Sequence, residues 1–292
     1  MRFANVSGRA CLVLDGRAVD IAEASGGALS SDPMMTADLA NHPGLQALAA
    51  AMDPADWPEL RQADLGPPVP RPGKIIAMAL NYRGHAEEAG LAIPSEPHVM
   101  AKFPTCICGP YDDVPIGALE MVDYEVELVV AIGRRCKGVT GDEAWQYISG
   151  LTCGNDVSDR NEQFRPPVRQ FSLAKSYDAF GPIGPTMVTP DEVADPDDLA
   201  LSCRVDGELR QQARTSDFIF DVHYLMAWLS RYVTLEVGDL IFTGTPGGVG
   251  DSMDPPTYLR DDQVMEIQVE GIGTMRNRIV TGSGAGTGAG EG

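Results

Sequence analysis

Apolar and polar residues alternate with period two through much of this chain, and helical periodicity is scarce. Such alternation puts neighbouring side chains on opposite faces of a strand. Around Asp15-Gly16, a hairpin turn signal, it predicts short strands over Arg2–Val6, Ala10–Leu14 and Ala18–Ile21. Further strands are predicted over Lys74–Leu80, Pro97–Phe103, Val122–Ile132, Tyr147–Thr152, Asp239–Phe242, Val264–Val269 and Thr274–Val280, with a hairpin over Leu201–Arg210 about Asp206-Gly207. Helical spacing marks His42–Met52, Gly84–Ala89, Thr140–Tyr147 and one longer amphipathic segment, Phe218–Val233. On that segment Phe220, Tyr224, Leu225, Trp228 and Leu229 are expected to face inward, and His42, beside Pro43, is expected at the surface. Strands and helices do not alternate, so the predicted fold class is mixed, mostly β (α+β). Repeated prolines over 67–73 predict a linker between a small N-terminal α/β domain (1–66) and a larger domain (74–280). The Gly/Ala-rich stretch 281–292 is expected to be a disordered tail.

Composition narrows the function. With 42 acidic against 22 basic residues, the net charge is −20, which argues against nucleic-acid and anionic-membrane partners. An anionic substrate would then need local positive charge from a metal or from a few Lys and Arg. No run approaches the roughly 20 apolar residues of a membrane span, and the first residues lack a signal peptide's apolar core; the expectation is a cytoplasmic protein. The six scattered cysteines are expected to be reduced thiols, and Cys106-Ile107-Cys108 does not have the spacing of a metal-binding pair.

The candidate chemistry starts at Val122–Ile132. Asp123, Glu125 and Glu127 share one face of the predicted strand, while Tyr124, Val126, Leu128 and Val130 form an apolar face opposite. No Lys or Arg is interleaved, so these carboxylates repel unless water or a cation intervenes. Two readings are open: a divalent-metal site or a solvent-facing strand edge. Asp156, past an apolar run and in a Gly-Asn-Asp turn, adds a third carboxylate to Glu125 and Glu127. Three oxygen ligands with places left for water and substrate suit Mg²⁺ or Mn²⁺, with Ca²⁺ as a stand-in in crystals. His85 and Glu88, three apart on a predicted helix, form either a general base with its orienting carboxylate or an incidental surface pair; Glu87 points to another face. Lys175, a cation among apolar residues, is a candidate partner for the carboxylates. Lys102 is read as a structural ion-pair residue and His98 as a structural residue. The loop Thr243–Gly250 follows a strand but lacks the Lys-Ser/Thr of a phosphate-binding loop.

Five blocks in order, Asn81–Glu88, Asp123–Leu128, Asn155–Arg160, Ala174–Pro185 and Phe242–Gly250, resemble the fumarylacetoacetate hydrolase superfamily, and the chain is similar to its bacterial acylpyruvate hydrolase-like members. The resemblance spans roughly Pro70 to Val280. It implies a β-roll catalytic domain, a homodimer, and metal-dependent hydrolysis of a carbon–carbon bond in a 2,4-dioxo (acylpyruvate-like) acid, of the kind met in aromatic or sugar-acid catabolism. It also implies Glu125, Glu127 and Asp156 as metal ligands and His85 with Glu88 as the pair that activates water. Lys175 would stabilise charge on a substrate oxygen, and Arg160, Gln163 and Thr245 would bind substrate. From the residues alone, Arg160 is equally readable as a rim salt bridge to Asp159 or Glu162. Decarboxylation of an oxaloacetate-like acid, or hydration or isomerisation of a 2-oxo-enoate, are sister chemistries on the same site.

Overall fold

In a computed structural model, residues 1–282 are described; the expected tail from Ser283 onward lies outside the described residues. The architecture is mixed and mostly β, as the alternation predicts. An eleven-stranded sheet runs, along its main path, Arg17–Asp20, Arg9–Leu14, Arg2–Val6, Gly181–Val188, Ile148–Asn155, Val126–Ile132, Leu240–Phe242, Ile75–Ala79 and His98–Lys102. A five-stranded sheet runs Glu208–Arg214, Ala200–Val205, Val264–Val269, Gly273–Val280 and Val114–Pro115. The first strand of the chain pairs with Gly181–Val188, Phe3 opposite Met187, so hydrogen bonding runs unbroken from the N-terminal segment into the large sheet. Within the proline-rich stretch, Val69 is fully buried beside Phe3 and Ile75.

The strand Val126–Ile132 is buried on both faces. Val126, Leu128, Val130 and Ile132 pack with Leu201, Ile267 and Met275 of the second sheet and with Leu225 and Leu229 of a helix. Val129 and Ala131 point the other way, against Ile75, Ala77 and Phe242. Each such side chain contributes roughly 1.5–3 kcal/mol on leaving water, so the register is firmly held: a slip of one residue would exchange the faces.

Three expectations change. The acidic run is two strands, Val122–Asp123 and Val126–Ile132, because the first pairs with Ser158–Asp159 and not with the main sheet. The amphipathic helix is Val222–Tyr232, and its inward stripe is Val222, Leu225, Met226 and Leu229. Tyr224 is 42% exposed and Phe220 precedes the helix, so the stripe is rotated from the expected one. His42 is buried; its Nε2 lies 2.9 Å from the Thr36 carbonyl and its ring packs, tilted, at 5.5 Å from Phe3. All six cysteines are buried and unpaired.

Candidate active site

Sheet topology brings distant residues to one edge. Val126–Ile132 and Ile148–Asn155 are antiparallel, with Glu127 opposite Gly154. The start of one strand therefore meets the end of the other, and Asp156 follows directly, its N–H donating to the Glu125 carbonyl at 2.9 Å. Leu240–Phe242 runs antiparallel to Val126–Ile132, so it too ends here and releases the loop Thr243–Gly250. Ile75–Ala79 is parallel to Leu240–Phe242 and delivers Asn81 and the short helix Arg83–Glu88 to the same edge.

Glu125, Glu127 and Asp156 each offer an oxygen within 4.8 Å of the others, and all three are buried. Asp123 stands apart from this cluster: its Oδ2 accepts from Arg160 Nε at 2.9 Å, and its Oδ1 accepts from the Gly250 N–H at 2.8 Å. A Cβ at Gly250 would stand 2.8 Å from that same oxygen, so the approach needs glycine.

Isolated buried carboxylates are costly, and cations from other elements answer them. Lys175 Nζ donates to Glu125 Oε2 (2.8 Å) and to Ser158 Oγ (2.7 Å), and lies 2.8 Å from Asp156 Oδ2. Lys102 Nζ donates to Asp156 Oδ1 (2.6 Å), to the Phe180 carbonyl (3.1 Å) and to the Lys175 carbonyl. Arg160 reaches Glu125 Oε1 at 2.7 Å. Burial opposes ionisation of Glu125, but Lys175 and Arg160 outweigh it and hold its pKa to about 2. Glu127 goes the other way: burial, then the charges of Asp156 and Glu125, push it well above the usual carboxylate range. Its Oε2 accepts from the Gly244 N–H at 2.7 Å. Gly244 adopts φ +100°, and a Cβ there would stand 2.7 Å from Asn81 Cβ.

The donor set fits a divalent cation. Glu127 Oε1 is buried with no hydrogen-bond partner among the described residues, and Asp156 Oδ2 has its ion pair with Lys175 but no aligned hydrogen bond. Two open carboxylate oxygens beside a third carboxylate form a hard-oxygen cradle. A proton on Glu127 is the metal-free alternative to a cation in that place.

A pocket of about 270 Å³ opens onto the cluster, close to the lower end of the roughly 300–1,000 Å³ typical of small-molecule sites. Its buried floor carries Glu125, Arg160, Gln163, Lys175 and Thr245, and its walls include Met78, Leu91, Phe164 and Phe171. His85 lines it too, its Nδ1 3.4 Å from Glu88 Oε2. Glu88 also accepts from the Gly248 N–H at 3.0 Å, which fastens the short helix to the loop. Arg160 makes neither of the expected rim bridges; it holds Asp123 and Glu125 and donates to Gln163 Oε1 at 2.8 Å. The structure thus brings all nine sequence-predicted residues to one edge. A larger shallow groove of about 580 Å³, near Arg2, Gln212 and Gln268, holds no such cluster.

Sequence reasoning missed Gln211. This buried side chain of the second sheet accepts from the Val126 N–H (2.9 Å) and donates to Thr245 Oγ1 (2.8 Å) and the Pro246 carbonyl (2.9 Å). Because Thr245 Oγ1 accepts from Gln211, its own proton is left for another acceptor, and Thr245 faces the pocket. Ser158, the third partner of Lys175, was missed as well. Gln211 belongs to no motif that would single it out, and Ser158 lies within the Asn155–Arg160 block between residues with stronger chemistry.

Comparison with known proteins agrees in extent with the strands that build this edge. Residues 74–280 match the family described as Fumarylacetoacetate (FAA) hydrolase C-terminal. A fumarylacetoacetate hydrolase domain-containing protein 2 homolog of Dictyostelium discoideum is 45% identical over 219 residues, 71% of this chain and 72% of its own. The mitochondrial oxaloacetate tautomerase FAHD2A of Homo sapiens is 40% identical over 214 residues, 73% of this chain and 68% of its own. The solved structure of maleylpyruvate hydrolase from Sphingobium sp. SYK-6, in complex with manganese(II) ion and pyruvate, is 30% identical with a TM-score of 0.79, covering 96% of this chain and 99% of that one.

Proposed function

The chain belongs to the fumarylacetoacetate hydrolase family, and from that premise we propose that it is a divalent-metal-dependent hydrolase cleaving a carbon–carbon bond in a 2,4-dioxo acid. The observation that carries this reading is that His85, with Glu88 at 3.4 Å, lines the same pocket as Glu125 and Lys175. Hydrolysis needs a group that takes a proton from water, and decarboxylation does not. Glu125, Glu127 and Asp156 would hold Mg²⁺ or Mn²⁺, which when bound polarises the oxygens of a 2-oxo acid. His85 takes a proton from water, and the resulting hydroxide adds to the distal carbonyl carbon. The bond between that carbon and its neighbour breaks, and its electron pair stays with the 2-oxo fragment. Lys175 and Arg160 bring positive charge to the floor where that negative charge develops. A proton then returns to the carbanionic carbon, so one water is consumed and a carboxylic acid and a 2-oxo acid leave. Gln163 and the Thr245 hydroxyl bind the substrate's carboxylate end.

The human relative favours a second reading, keto–enol tautomerisation of an oxaloacetate-like acid, in which a proton moves and no carbon–carbon bond breaks. Acetylpyruvate with Mn²⁺ decides between them. Loss of ultraviolet absorbance with equimolar pyruvate supports hydrolysis. Absence of pyruvate together with rapid ketonisation of enol-oxaloacetate replaces it with the second reading.

A further inference from the structure

The carboxylate cluster carries its own cations, and they are not equally anchored. Every oxygen of Glu125 and Asp156 already faces one of them. Glu125 Oε1 lies 2.7 Å from Arg160, and its Oε2 lies 2.8 Å from Lys175. Asp156 Oδ1 lies 2.6 Å from Lys102, and its Oδ2 lies 2.8 Å from Lys175. Glu127 has no ion-pair partner among the described residues, and its Oε1 is open. Among the described residues, Lys175 is therefore the one cation that bridges two of the three proposed ligands.

The other two cations have firm partners elsewhere. Arg160 pairs with Asp123 and donates to Gln163 Oε1. Lys102 Nζ donates to the carbonyls of Lys175 and Phe180 as well as to Asp156. Beyond the two ligands, Lys175 Nζ has only the neutral Ser158 hydroxyl, at 2.7 Å. Its backbone is held where the short helix Phe171–Ala174 ends, with its carbonyl accepting from Lys102, so movement is confined to the side chain. That side chain lines the pocket, and its flexible four-carbon stem lets the ammonium turn into it. A cation entering the cradle would share oxygens with this ammonium, and like charges so close in a buried site repel strongly.

We propose that Lys175 and a divalent cation compete for the oxygens of Glu125 and Asp156, so that metal binding drives the Lys175 ammonium out of the cradle and into the pocket. This inference rests on Glu125, Glu127 and Asp156 holding the metal, as proposed above. It adds an order of events. Lys175 keeps the two carboxylates paired until the metal is loaded, and only then is its charge released to meet a substrate oxygen. Lys102 and Arg160, anchored outside the pair, stay in place.

Two measurements on the full chain test this without turnover. Lysine acetylation by acetic anhydride, read residue by residue by mass spectrometry, is compared in chelator and in saturating Mn²⁺. Lys175 labelling rises several-fold with Mn²⁺, while the fully buried Lys102 stays protected in both. Titration calorimetry then compares Mn²⁺ binding by the wild type and by Lys175→Met, which keeps the stem and removes the charge. The variant binds on the order of tenfold tighter, because the competitor is gone. The labelling uses the wild type, so it decides the matter should Lys175→Met fail to fold. Unchanged Lys175 labelling, or a folded Lys175→Met that binds Mn²⁺ no tighter than wild type, overturns the competition and leaves the metal reading standing. Failure of both proteins to bind Mn²⁺ overturns both.

Discussion

Glu125 and Glu127 are two residues apart, share a proposed role and should respond oppositely to loss of charge. Lys175 and Arg160 hold the folded Glu125 carboxyl at a pKa of about 2, against 4.5 for a free glutamate. At 1.36 kcal/mol per unit this difference is about 3 kcal/mol. No screening discount applies, because its side chain is only 7% exposed. Its folded pKa is depressed, so this contribution is complete above the unfolded value and is lost as pH falls through about 2. Glu125→Gln at pH 7 therefore lowers metal-free stability by about 3 kcal/mol, although Lys175 and Arg160 keep their pairs with Asp156 and Asp123. For a chain of this size that is a fall in Tm of roughly 5 °C. Glu127→Gln replaces a carboxyl that favours its proton, and the amide oxygen can still accept from Gly244. Its metal-free stability should stay within about 1 kcal/mol of wild type, because a satisfied polar group replaces another. Both variants should lose the rise in Tm that Mn²⁺ gives the wild type. Thermal melts in chelator and in excess Mn²⁺ provide all six values. Equal metal-free losses in the two variants, or a retained Mn²⁺ response in Glu127→Gln, would refute the electrostatic account of the cluster.

His85→Ala should lower kcat for acylpyruvate hydrolysis by about 10²–10⁴, with an unchanged Mn²⁺ effect on Tm. Glu88→Gln should cost less than Glu88→Ala in the same assay, because a carboxamide oxygen can still accept from Gly248. Gln211→Leu leaves the Val126 N–H and the Pro246 carbonyl without partners and frees Thr245 to turn, so KM should rise more than kcat falls in steady-state assays. Burial lowers the pKa of His42, opposed by the Thr36 carbonyl and more weakly by the charges of Asp191 and Asp38. As pH falls below about 6.5 the unfolded chain gains a proton that the folded chain resists. The drop in Tm between pH 8 and pH 5.5 should therefore be smaller in His42→Gln than in wild type.

Strand positions were legible because period-two alternation is imposed by the pleat itself, and Tyr124, Val126, Leu128 and Val130 do share one core. Glu125 and Glu127 were legible because acids recurred on one face with no local cation, and Asp156 because it follows an apolar run in a Gly-Asn-Asp turn. What neutralises them was less so: Lys102, Arg160 and Lys175 arrive from other strands and loops, and nothing near Glu125 in sequence names its partners. The helix Val222–Tyr232 was found but turned, since its large aromatic residues drew the stripe away from Val222 and Met226. His42 looked exposed beside Pro43, yet Phe3 covers it from a strand almost forty residues away, a distance that follows from the numbering. Gln211 escaped notice because contact between sheets leaves no periodic trace in either strand.

The middle of the large sheet is filled late in the chain. Leu240–Phe242 lies between Val126–Ile132 and Ile75–Ala79, two almost wholly apolar strands that otherwise present bare edges. During synthesis, 110 residues (242 − 132) must follow Ile132 before the wedge between them exists. At roughly 5–20 residues per second this takes about 5–20 s. Throughout that interval one bare edge of each strand is available to copies on neighbouring ribosomes. Nascent chains arrested before Leu240 should accordingly aggregate or bind chaperones, and release past Phe242 should end that exposure.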